Sequence, residues 1–401
     1  TEEINELANS FSEVSLRALL LNTNKACAHD IEQKFPFLIP HPIVKNGYIF
    51  DPTKYPLGKS IEHFLGLFYI QEPSAMVPAY LLNADKDDIV LDLCAAPGGK
   101  SVQTSFLMEN LGLIVANDLS YSRTNAILEN VERLGLGNII ITNNNFKDIY
   151  HSYKNYFTKI IVDAPCSGSG MFKKDKKMME DWSYNKVLKF AEEQKEIISY
   201  AYKMLKPGGT LLYSTCSFSF EENEEVIEHL LSTTDAEVIN IEENDLFYVS
   251  KTKPLGIHLF PHIFPGDGQY ICLIKKPGLL IKRNENIYKE IYFGDFVFKT
   301  PNKFSVCKNL KIVRMGLKVG EKLKRKNEII FDHHYSRFLK DFDKICEVNE
   351  DVLGYILKGE SITANLEKGF YLLTYQNSPI CFAKSDGKIL KNHLPKGLRR
   401  L

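Results

Sequence analysis

Two cysteines are the residues of this chain best suited to chemistry. Cys166 follows an apolar run in the segment Asp163-Ala164-Pro165-Cys166, and Cys216 follows another in the segment Ser214-Thr215-Cys216-Ser217. If both runs are parallel strands, their carboxyl ends meet at one edge of a sheet and bring the two thiols together. A cysteine becomes a nucleophile when its pKa falls below the free value of about 8.5. Either cysteine alone is more often a small packing residue, but the pair at two strand ends favours catalysis.

A third segment, Asp92-Leu93-Cys94-Ala95-Ala96-Pro97-Gly98-Gly99-Lys100, has the composition of a ligand-binding turn. Its small residues let the backbone approach a ligand closely, and the helix that follows offers unpaired N–H groups at its start. The Gly-x-Gly-x-x-Gly dinucleotide pattern and the complete Gly-x-x-x-x-Gly-Lys-Ser/Thr phosphate loop are both missing, and a tight structural turn is the alternative. We expect this segment to contact a cofactor through Cys94, Ala95, Ala96, Pro97, Gly98, Gly99 and Lys100.

Polar residues further along the chain extend the predicted cofactor site. Asp118 follows the second predicted strand, where its carboxylate could accept hydrogen bonds from ribose hydroxyls. Capping of the next helix is the alternative role for Asp118. Asn145 follows the third strand, where an adenine-facing side chain is expected, and Arg123 in the intervening helix is included in the site.

Strands alternate with amphipathic helices from about residue 88, which predicts a doubly wound parallel sheet. A helix from about Lys186 to Leu205 is expected to stop at the turn Lys206-Pro207-Gly208-Gly209. No crossover helix precedes the run Tyr270–Ile274, so an antiparallel insertion is expected there. This layout is that of a class I methyltransferase, whose cofactor is S-adenosyl-L-methionine. The other predicted elements are the strands Ile89–Leu93, Leu113–Asn117, Ile139–Ile141, Ile160–Val162 and Thr210–Ser214, and the helices Lys100–Asn110, Tyr121–Leu134 and Glu221–Leu231.

In this fold the end of the fourth strand faces the transferred methyl group. Enzymes that methylate amino groups carry an Asp/Asn-Pro-Pro-aromatic segment there, but here Cys166 replaces the second proline. Carbon 5 of cytosine is a poor nucleophile until a thiolate adds at carbon 6, which creates an enamine-like intermediate that can attack the sulfonium methyl. Asp163 is placed to protonate or hydrogen-bond ring nitrogen 3. A base must then remove the carbon 5 proton so that the thiolate can leave.

The length of 401 residues predicts two or three domains. We expect an N-terminal accessory domain over residues 1–85, a methyltransferase domain over 86–277 and an RNA-binding region over 278–401. The last region is expected to be mostly β, with one helix near Tyr335–Val348. It carries 24 Lys and Arg against 14 Asp and Glu, whereas the whole chain is neutral. An appended phosphate-binding module explains this asymmetry, and ordinary compositional drift is the alternative.

Composition excludes several other classes. The eight cysteines contain no Cys-x-x-Cys pair, which argues against a zinc site and against a disulfide framework. No stretch approaches the roughly 18 apolar residues that span a bilayer, and the acidic start of the chain lacks the features of a signal peptide. We therefore expect a cytoplasmic protein, acting as a monomer, with no metal and no membrane partner.

Taken together, these segments resemble the Sun/nucleolar-protein (NOL/NOP/Sun) family of RNA cytosine-5 methyltransferases, and within it the RsmF-type enzymes of 16S ribosomal RNA. The likeness runs from about residue 50 to the end of the chain. The segments that carry it are Tyr69–Met76, Leu93–Lys100, Asp163–Gly170, Ser214–Ser217 and Lys391–Arg400.

The resemblance implies that Cys216 is the nucleophile and that Cys166 assists release of the methylated product. The residues alone leave this order open, because DNA cytosine-5 enzymes use the cysteine after the fourth strand. The family also assigns cofactor contacts to the loop from Cys94 to Lys100 and to Asp118, Asn145 and Asp163. This chain departs from the family at Asn145, which is often Asp, and at His258, which replaces an Arg.

The same likeness implies a PUA-like unit near the C-terminus and an RNA partner, 16S rRNA or the 30S subunit. Transfer RNA is the competing substrate. A non-catalytic ribosome-assembly factor and a small-molecule methyltransferase are two further hypotheses for the whole chain. A solvated basic face is the plainer interpretation of each single lysine. The candidate phosphate contacts are Lys173, Lys174, Lys176, Lys177, Lys322, Lys324, Arg325, Lys326, Lys391, Lys396, Arg399 and Arg400, and Phe172 is a candidate to support the base.

Overall fold

The computed structural model describes residues 2–282, 286–323 and 328–399. The N-terminal part forms a four-stranded antiparallel sheet in the order β2-β3-β1-β4. Leu19, Leu21 and Phe68 are buried in its core, whereas helix α4 places Met76 and Val77 in the core of the next domain. Its elements are α1 (Glu2–Ser10), β1 (Arg17–Leu21), α2 (Ala28–Lys34), β2 (Ile39–Pro40), β3 (Gly47–Phe50), α3 (Ile61–Leu65), β4 (Phe68–Gln71) and α4 (Pro73–Leu82).

A nine-stranded mixed sheet forms the centre of the molecule. Strands β5 to β9 pair in parallel in the order β9-β8-β5-β6-β7, as the alternating pattern predicts. Apolar residues on both faces are buried under helices, which is why strands β5 to β7 consist mostly of Ile, Leu and Val and why β8 and β9 each contain a short apolar run. The elements are β5 (Ile89–Asp92), α5 (Gly99–Leu107), β6 (Leu113–Asn117), α6 (Tyr121–Leu134), β7 (Ile139–Thr142), α7 (Phe146–Ser152), β8 (Phe157–Asp163), α8 (Lys176–Asp181), α9 (Tyr184–Met204), β9 (Leu205–Thr215), α10 (Glu224–Thr233), β10 (Glu237–Ile239), β11 (Ile257–Leu259) and β12 (Gln269–Lys275).

Strand β12 pairs antiparallel with β9, which confirms the expected insertion. The expected turn at Lys206-Pro207-Gly208-Gly209 is wrong, because these residues belong to β9. Helix α9 ends at Met204 and the strand begins at once. Gly208 adopts a φ of 77° and donates its N–H to Lys276 O. The Pro-Gly-Gly residues therefore form an irregular part of the strand and not a separate turn.

The C-terminal region contains two further sheets and also contributes to the central one. Strand β15 pairs antiparallel with β7 and lengthens the central sheet, so residues 312–315 share a sheet with the cofactor-binding strands. The other strands form a four-stranded sheet, β13-β14-β16-β17, and a five-stranded sheet, β18-β20-β21-β22-β19. The elements are β13 (Tyr288–Phe293), β14 (Phe296–Pro301), β15 (Ile312–Met315), β16 (Leu317–Lys322), β17 (Ile329–Phe331), α11 (His333–Phe338), β18 (Ile345–Glu347), α12 (Glu350–Lys358), β19 (Ile362–Thr363), β20 (Gly369–Tyr375), β21 (Ser378–Ser385) and β22 (Ile389–Asn392).

The helix expected near Tyr335–Val348 is wrong. Helix α11 covers only His333–Phe338, and Ile345–Glu347 is a strand that pairs in parallel with β20. A second helix, α12, follows at Glu350–Lys358, capped by the Asn349 side chain and closed by Gly359 in the left-handed conformation. In the part of the chain that the structure describes, no helix combines the length and apolarity needed to cross a membrane.

Candidate active site

Three neighbouring parallel strands place the predicted catalytic side chains at one edge of the central sheet. Asp92 of β5 lies opposite Ile161 of β8, and Asp163 of β8 lies opposite Ser214 of β9. The loops after these strands therefore emerge together, as open α/β sheets require for a ligand site.

The two thiols meet at this edge. Cys166 Sγ and Cys216 Sγ lie 3.0 Å apart, and neither cysteine forms a disulfide. The hydrogen bond with Cys216, together with burial, raises the pKa of the Cys166 thiol well above its usual value. Cys166 therefore keeps its proton, and its S–H can donate to Cys216 Sγ.

Asp163 is held in place by three partners. Its Oδ2 lies 2.7 Å from Lys100 Nζ, and its Oδ1 accepts hydrogen bonds from Ser214 Oγ at 2.7 Å and from Gln269 Nε2 at 3.2 Å. Lys100 is buried, whereas about a third of the Asp163 side chain is exposed to the cavity. The carboxylate is thus oriented by a buried ammonium and remains accessible to a substrate.

The loop after β5 is shaped by hydrogen bonds to the end of β6 and to the residue that follows it. Ala95 N–H donates to Asn117 O at 2.8 Å, and Ala96 N–H donates to the side-chain Oδ2 of Asp118 at 3.1 Å. Gly98 directly precedes helix α5 with a φ of 109°, a conformation that favours glycine. The Ala96–Pro97 peptide bond is cis.

Asp118 and Arg123 both hold this loop from the opposite side. Asp118 Oδ1 accepts a hydrogen bond from Ser120 N–H at 2.9 Å, so the carboxylate also caps the turn into helix α6. Arg123 Nη2 donates to Ala96 O at 2.7 Å. Asn145 caps helix α7 by accepting a hydrogen bond from Lys147 N–H at 2.9 Å. All three line the same cavity, and their contacts with a cofactor remain predictions.

Two cavities meet at Cys216. One cavity, of about 400 Å³, is lined by Asp118, Arg123, Asn145 and the two thiols of Cys166 and Cys216. The other, of about 360 Å³, contains Lys100, Gln269 and Cys216 but not Cys166. Cys94, Asp163 and Cys216 line both. The volumes suit small ligands, and the carboxylate of Asp118 at the end of β6 suits a ribose. We therefore expect S-adenosylmethionine in the first cavity and a planar base in the second.

Three residues in or beside the site have no role in the sequence-based prediction. Gln269 comes from the antiparallel strand β12. Glu222 lies beneath the loops that follow β8 and β9, which carry Cys166 and Cys216 and are called the Cys166 loop and the Cys216 loop below. Asp92 is buried, accepts a hydrogen bond from Ser101 Oγ at 2.6 Å and leaves Oδ1 without a partner among the described residues. Burial raises the pKa of Asp92 to about 7. Asp92 begins the segment that the sequence marks as a ligand-binding turn, but the sequence alone assigns it no role.

The departure from the family at His258 has a local explanation. His258 Nε2 lies 2.7 Å from Glu224 Oε1, and its ring stacks on Phe260 with an interplanar angle of 2°. Both His258 and Glu224 are buried. The imidazole therefore fills a packed position behind the site and faces neither cysteine loop.

The candidate phosphate contacts differ in accessibility. Lys173 forms an ion pair with Glu13 and its side chain is only 5% exposed, which leaves it little surface for a phosphate. Phe172 packs edge-on against Phe11, which favours a packing role. Arg399 donates to Leu394 O. Those with exposed positions are Lys174, Lys177, Lys322, Lys391 and Lys396, whereas Lys324, Arg325, Lys326, Arg400 and the side chain of Lys176 lie outside the described residues.

Over the described ranges, no group of three or more His, Cys, Asp or Glu side chains is arranged to hold a metal ion. The doubly wound sheet, with the antiparallel strand β12 beside β9 and a cavity at the carboxyl ends of its parallel strands, has the architecture expected of a class I methyltransferase.

Comparisons with known proteins specify the family. The family described as 16S rRNA methyltransferase RsmB/F matches residues 79–275, and the Methyltransferase RsmF PUA domain matches residues 346–400. Ribosomal RNA small subunit methyltransferase F of Vibrio vulnificus strain YJ016 is 32% identical over 407 residues, covering 90% of this chain and 86% of that protein. The Vibrio parahaemolyticus protein of the same name is 31% identical over 440 residues, covering 96% of this chain and 91% of its own. The chain belongs to the RsmB/F family of 16S rRNA methyltransferases.

Solved structures agree with this assignment. A methyltransferase homologue from Pyrococcus horikoshii is 30% identical, with a TM-score of 0.60 over 69% of this chain and 91% of the other. NSun6 from the same organism is 22% identical, has the same TM-score and covers 69% and 95%, which shows the common fold. The resemblance, the class I fold with a PUA-like C-terminal domain and the activity class are therefore confirmed: this is an S-adenosylmethionine-dependent RNA methyltransferase.

Proposed function

We propose that this protein transfers a methyl group from S-adenosylmethionine to carbon 5 of a cytidine in 16S ribosomal RNA, with Cys216 as the nucleophile. The observation that carries the proposal is the position of Cys216, which lies 3.0 Å from a second thiol and lines both cavities. A nucleophile that must reach carbon 6 while carbon 5 faces a methyl donor needs this position.

The assignment of the two thiols follows from their surroundings. Cys166 lines only the cofactor-sized cavity, and its raised pKa keeps it protonated. A protonated Cys166 stabilises negative charge on Cys216 by donating its S–H. We therefore assign the attack to Cys216, which lines both cavities, and the release of the product to Cys166, in the order that the family resemblance implies.

The reaction proceeds by bond changes that this site can support. The Cys216 thiolate adds to carbon 6, which makes a 4,5 double bond, and nitrogen 3 takes up a proton that the Asp163–Lys100 pair can supply. S-adenosylmethionine would supply the methyl group: carbon 5 bonds to it while its bond to sulfur breaks, S-adenosylhomocysteine leaves, and nitrogen 3 can return its proton to the pair. Loss of the carbon 5 proton to a base then restores the double bond, and Cys216 leaves as the thiolate.

The substrate assignment is supported by the relatives. Proteins named ribosomal RNA small subunit methyltransferase F are similar to this chain over 90% or more of its length, and a PUA domain follows the catalytic part. Transfer RNA remains the competing substrate because the same chemistry would serve it. We further propose, as expected from the sequence, that the enzyme works in the cytoplasm and as a monomer.

The test is methyl transfer to defined RNAs. Purified protein is incubated with tritiated S-adenosylmethionine and with deproteinised 16S rRNA, 30S subunits or transfer RNA, all from cells that lack the gene. Label in 16S rRNA or 30S subunits, located at one cytidine by bisulfite sequencing and lost in Cys216→Ala, is expected. Label only in transfer RNA, or only on an amino group or a ribose, would overturn the proposal.

A further inference from the structure

We propose that Glu222 is a positioning residue that clamps the two cysteine loops together and so sets the relation between the two thiols. This inference rests on the proposed function, because it concerns the same reaction. Glu222 ends a short 3₁₀ turn, Phe220–Glu222, directly after the Cys216 loop. Its side chain is completely buried, yet it touches neither cavity.

One carboxylate accepts hydrogen bonds from both loops. From the Cys166 loop, Ser167 N–H donates to Glu222 Oε1 at 2.8 Å and Ser167 Oγ donates to Oε2 at 2.5 Å. From the Cys216 loop, Ser217 Oγ donates to Oε2 at 2.6 Å. Each serine directly follows a cysteine, so the carboxylate holds the two thiol-bearing residues through their immediate neighbours.

Surrounding groups keep this carboxylate in place. Gln194 of helix α9 donates through Nε2 to Glu222 Oε1 at 3.1 Å and to Pro165 O at 2.8 Å. The Tyr213 hydroxyl donates to the backbone carbonyl of Glu222 at 2.7 Å. The Glu222 side chain is therefore hydrogen-bonded to the long helix α9, and its backbone to strand β9 of the central sheet.

The arrangement makes the two loops depend on each other. If the Cys166 loop moved away, the buried carboxylate would lose both hydrogen bonds from Ser167, and if the Cys216 loop moved away it would lose the one from Ser217. Each such loss is costly in a low-dielectric interior. The shared acceptor thus favours the geometry in which Cys166 and Cys216 are 3.0 Å apart. A carboxyl group that served packing alone would not need donors from both loops.

Glu222 also acts on the thiols electrostatically. Its charge adds to the effects of the Cys216 hydrogen bond, burial and the charge of Cys216 in raising the pKa of Cys166. The titratable groups around Cys166 are Tyr213 of strand β9, Cys216 directly after that strand, and Glu222 behind the loops. Asp163 and Glu193 line the same cavity as Cys166. Removing the charge of Glu222 should therefore lower the pKa of Cys166.

The test compares Glu222→Gln with Glu224→Gln in the full chain. Glu224 is a matched control because it is also buried but pairs with His258 and bonds neither cysteine loop. Alkylation of Cys166 by iodoacetamide is followed by mass spectrometry across a pH series, with the exposed Cys27 as internal reference. We expect Glu222→Gln, and not Glu224→Gln, to move the Cys166 profile to lower pH. We also expect it to slow single-turnover methyl transfer about 10- to 100-fold, with the Kd for S-adenosylmethionine within about twofold of wild type.

The alkylation readout needs no RNA, so it tests the clamp even if 16S rRNA is not the substrate. An unchanged Cys166 profile, or a slowing of transfer no greater than in Glu224→Gln, would overturn the proposal. If Glu222→Gln does not fold, Ser167→Ala, Ser217→Ala and the double variant replace it. Losses in transfer rate that are markedly less than additive support a shared clamp, and independent, additive losses contradict it.

Discussion

The reactive residues owe their properties to partners that lie far away in the sequence. Asp163 is oriented by Lys100 and Gln269, and the raised pKa of Cys166 results first from Cys216. The sequence motifs identify Asp163 and both cysteines, because strand ends in a doubly wound sheet converge. They cannot identify Gln269 or Glu222, since these reach the site through an antiparallel strand and a short turn that no motif marks.

The buried carboxyl of Asp92 gives a pH-dependent prediction. Because burial raises its pKa to about 7, native Asp92 binds a proton that the unfolded chain has already lost above about pH 4. Its contribution to the free energy of unfolding is therefore present at low pH and lost as pH rises through 7. We expect Asp92→Asn to remove this loss, which amounts to roughly 3–5 kcal/mol in the free energy of unfolding between about pH 4 and pH 8.

The measurement is urea unfolding of wild type and Asp92→Asn at pH 4.5 and pH 8, with Asp181→Asn, at an exposed position, as control. Relative to wild type, the free energy of unfolding of Asp92→Asn should fall less, or rise more, from pH 4.5 to pH 8. The change for Asp181→Asn should equal that of wild type. Parallel pH dependence in all three proteins would contradict the prediction.

At the scale of elements, local signals succeed where they coincide with the long-range pairing. The strand Leu113–Asn117 and the helix Tyr121–Leu134, closed by Gly135, have the predicted bounds. The prediction for Tyr335–Val348 fails because Ile345–Glu347 pairs with β20, a contact that the local pattern does not contain. The predicted turn at Pro207-Gly208 is wrong for a similar reason. Lys276, directly after β12, accepts a backbone hydrogen bond from Gly208 and so continues the pairing of β9.

Gly135 offers a prediction about how helix α6 joins the C-terminal region. Its φ is 70°, and a Cβ there would lie 2.3 Å from Arg337 O, so Gly135→Ala combines backbone strain with a clash. Gly294 is a matched control, because its φ is 61° but a Cβ would meet nothing within 4 Å. We expect Gly294→Ala to lower the free energy of unfolding by about 1 kcal/mol and Gly135→Ala by about 2 kcal/mol more. Equal destabilisation in thermal and urea unfolding would show that the contact with Arg337 is unimportant.

The whole molecule combines a catalytic body with a basic C-terminal region that shares its sheet. Strand β15 covers the edge of β7, and Arg314 of β15 forms an ion pair with Glu132 of helix α6. The charge asymmetry of the sequence predicts the basic region but not the shared strand, because strand pairing between distant segments leaves no trace in composition. The C-terminal region is therefore fixed to the catalytic body, so that both can contact one RNA.

This arrangement predicts a salt-sensitive contribution from the PUA-like domain. Lys384 and Lys391 are exposed and line a cavity of about 540 Å³ with Lys368 and His393. If they contact phosphates, Lys384→Ala with Lys391→Ala should weaken RNA binding and reduce the slope of log K against log salt by about 2. The check is filter binding of 16S rRNA from 50 to 300 mM salt, with Lys86→Ala, an exposed lysine just before strand β5, as control. An unchanged slope would remove this surface from the RNA interface.

The central claim, that Cys216 attacks and Cys166 releases, is tested most directly by trapping the covalent complex. Cys166→Ala and Cys216→Ala are each mixed with S-adenosylmethionine and total RNA, and a protein–RNA band is sought on a denaturing gel. We predict a band for Cys166→Ala alone, because Cys216 can add to carbon 6 but the product is not released. A band for Cys216→Ala alone would reverse the two roles and contradict this assignment.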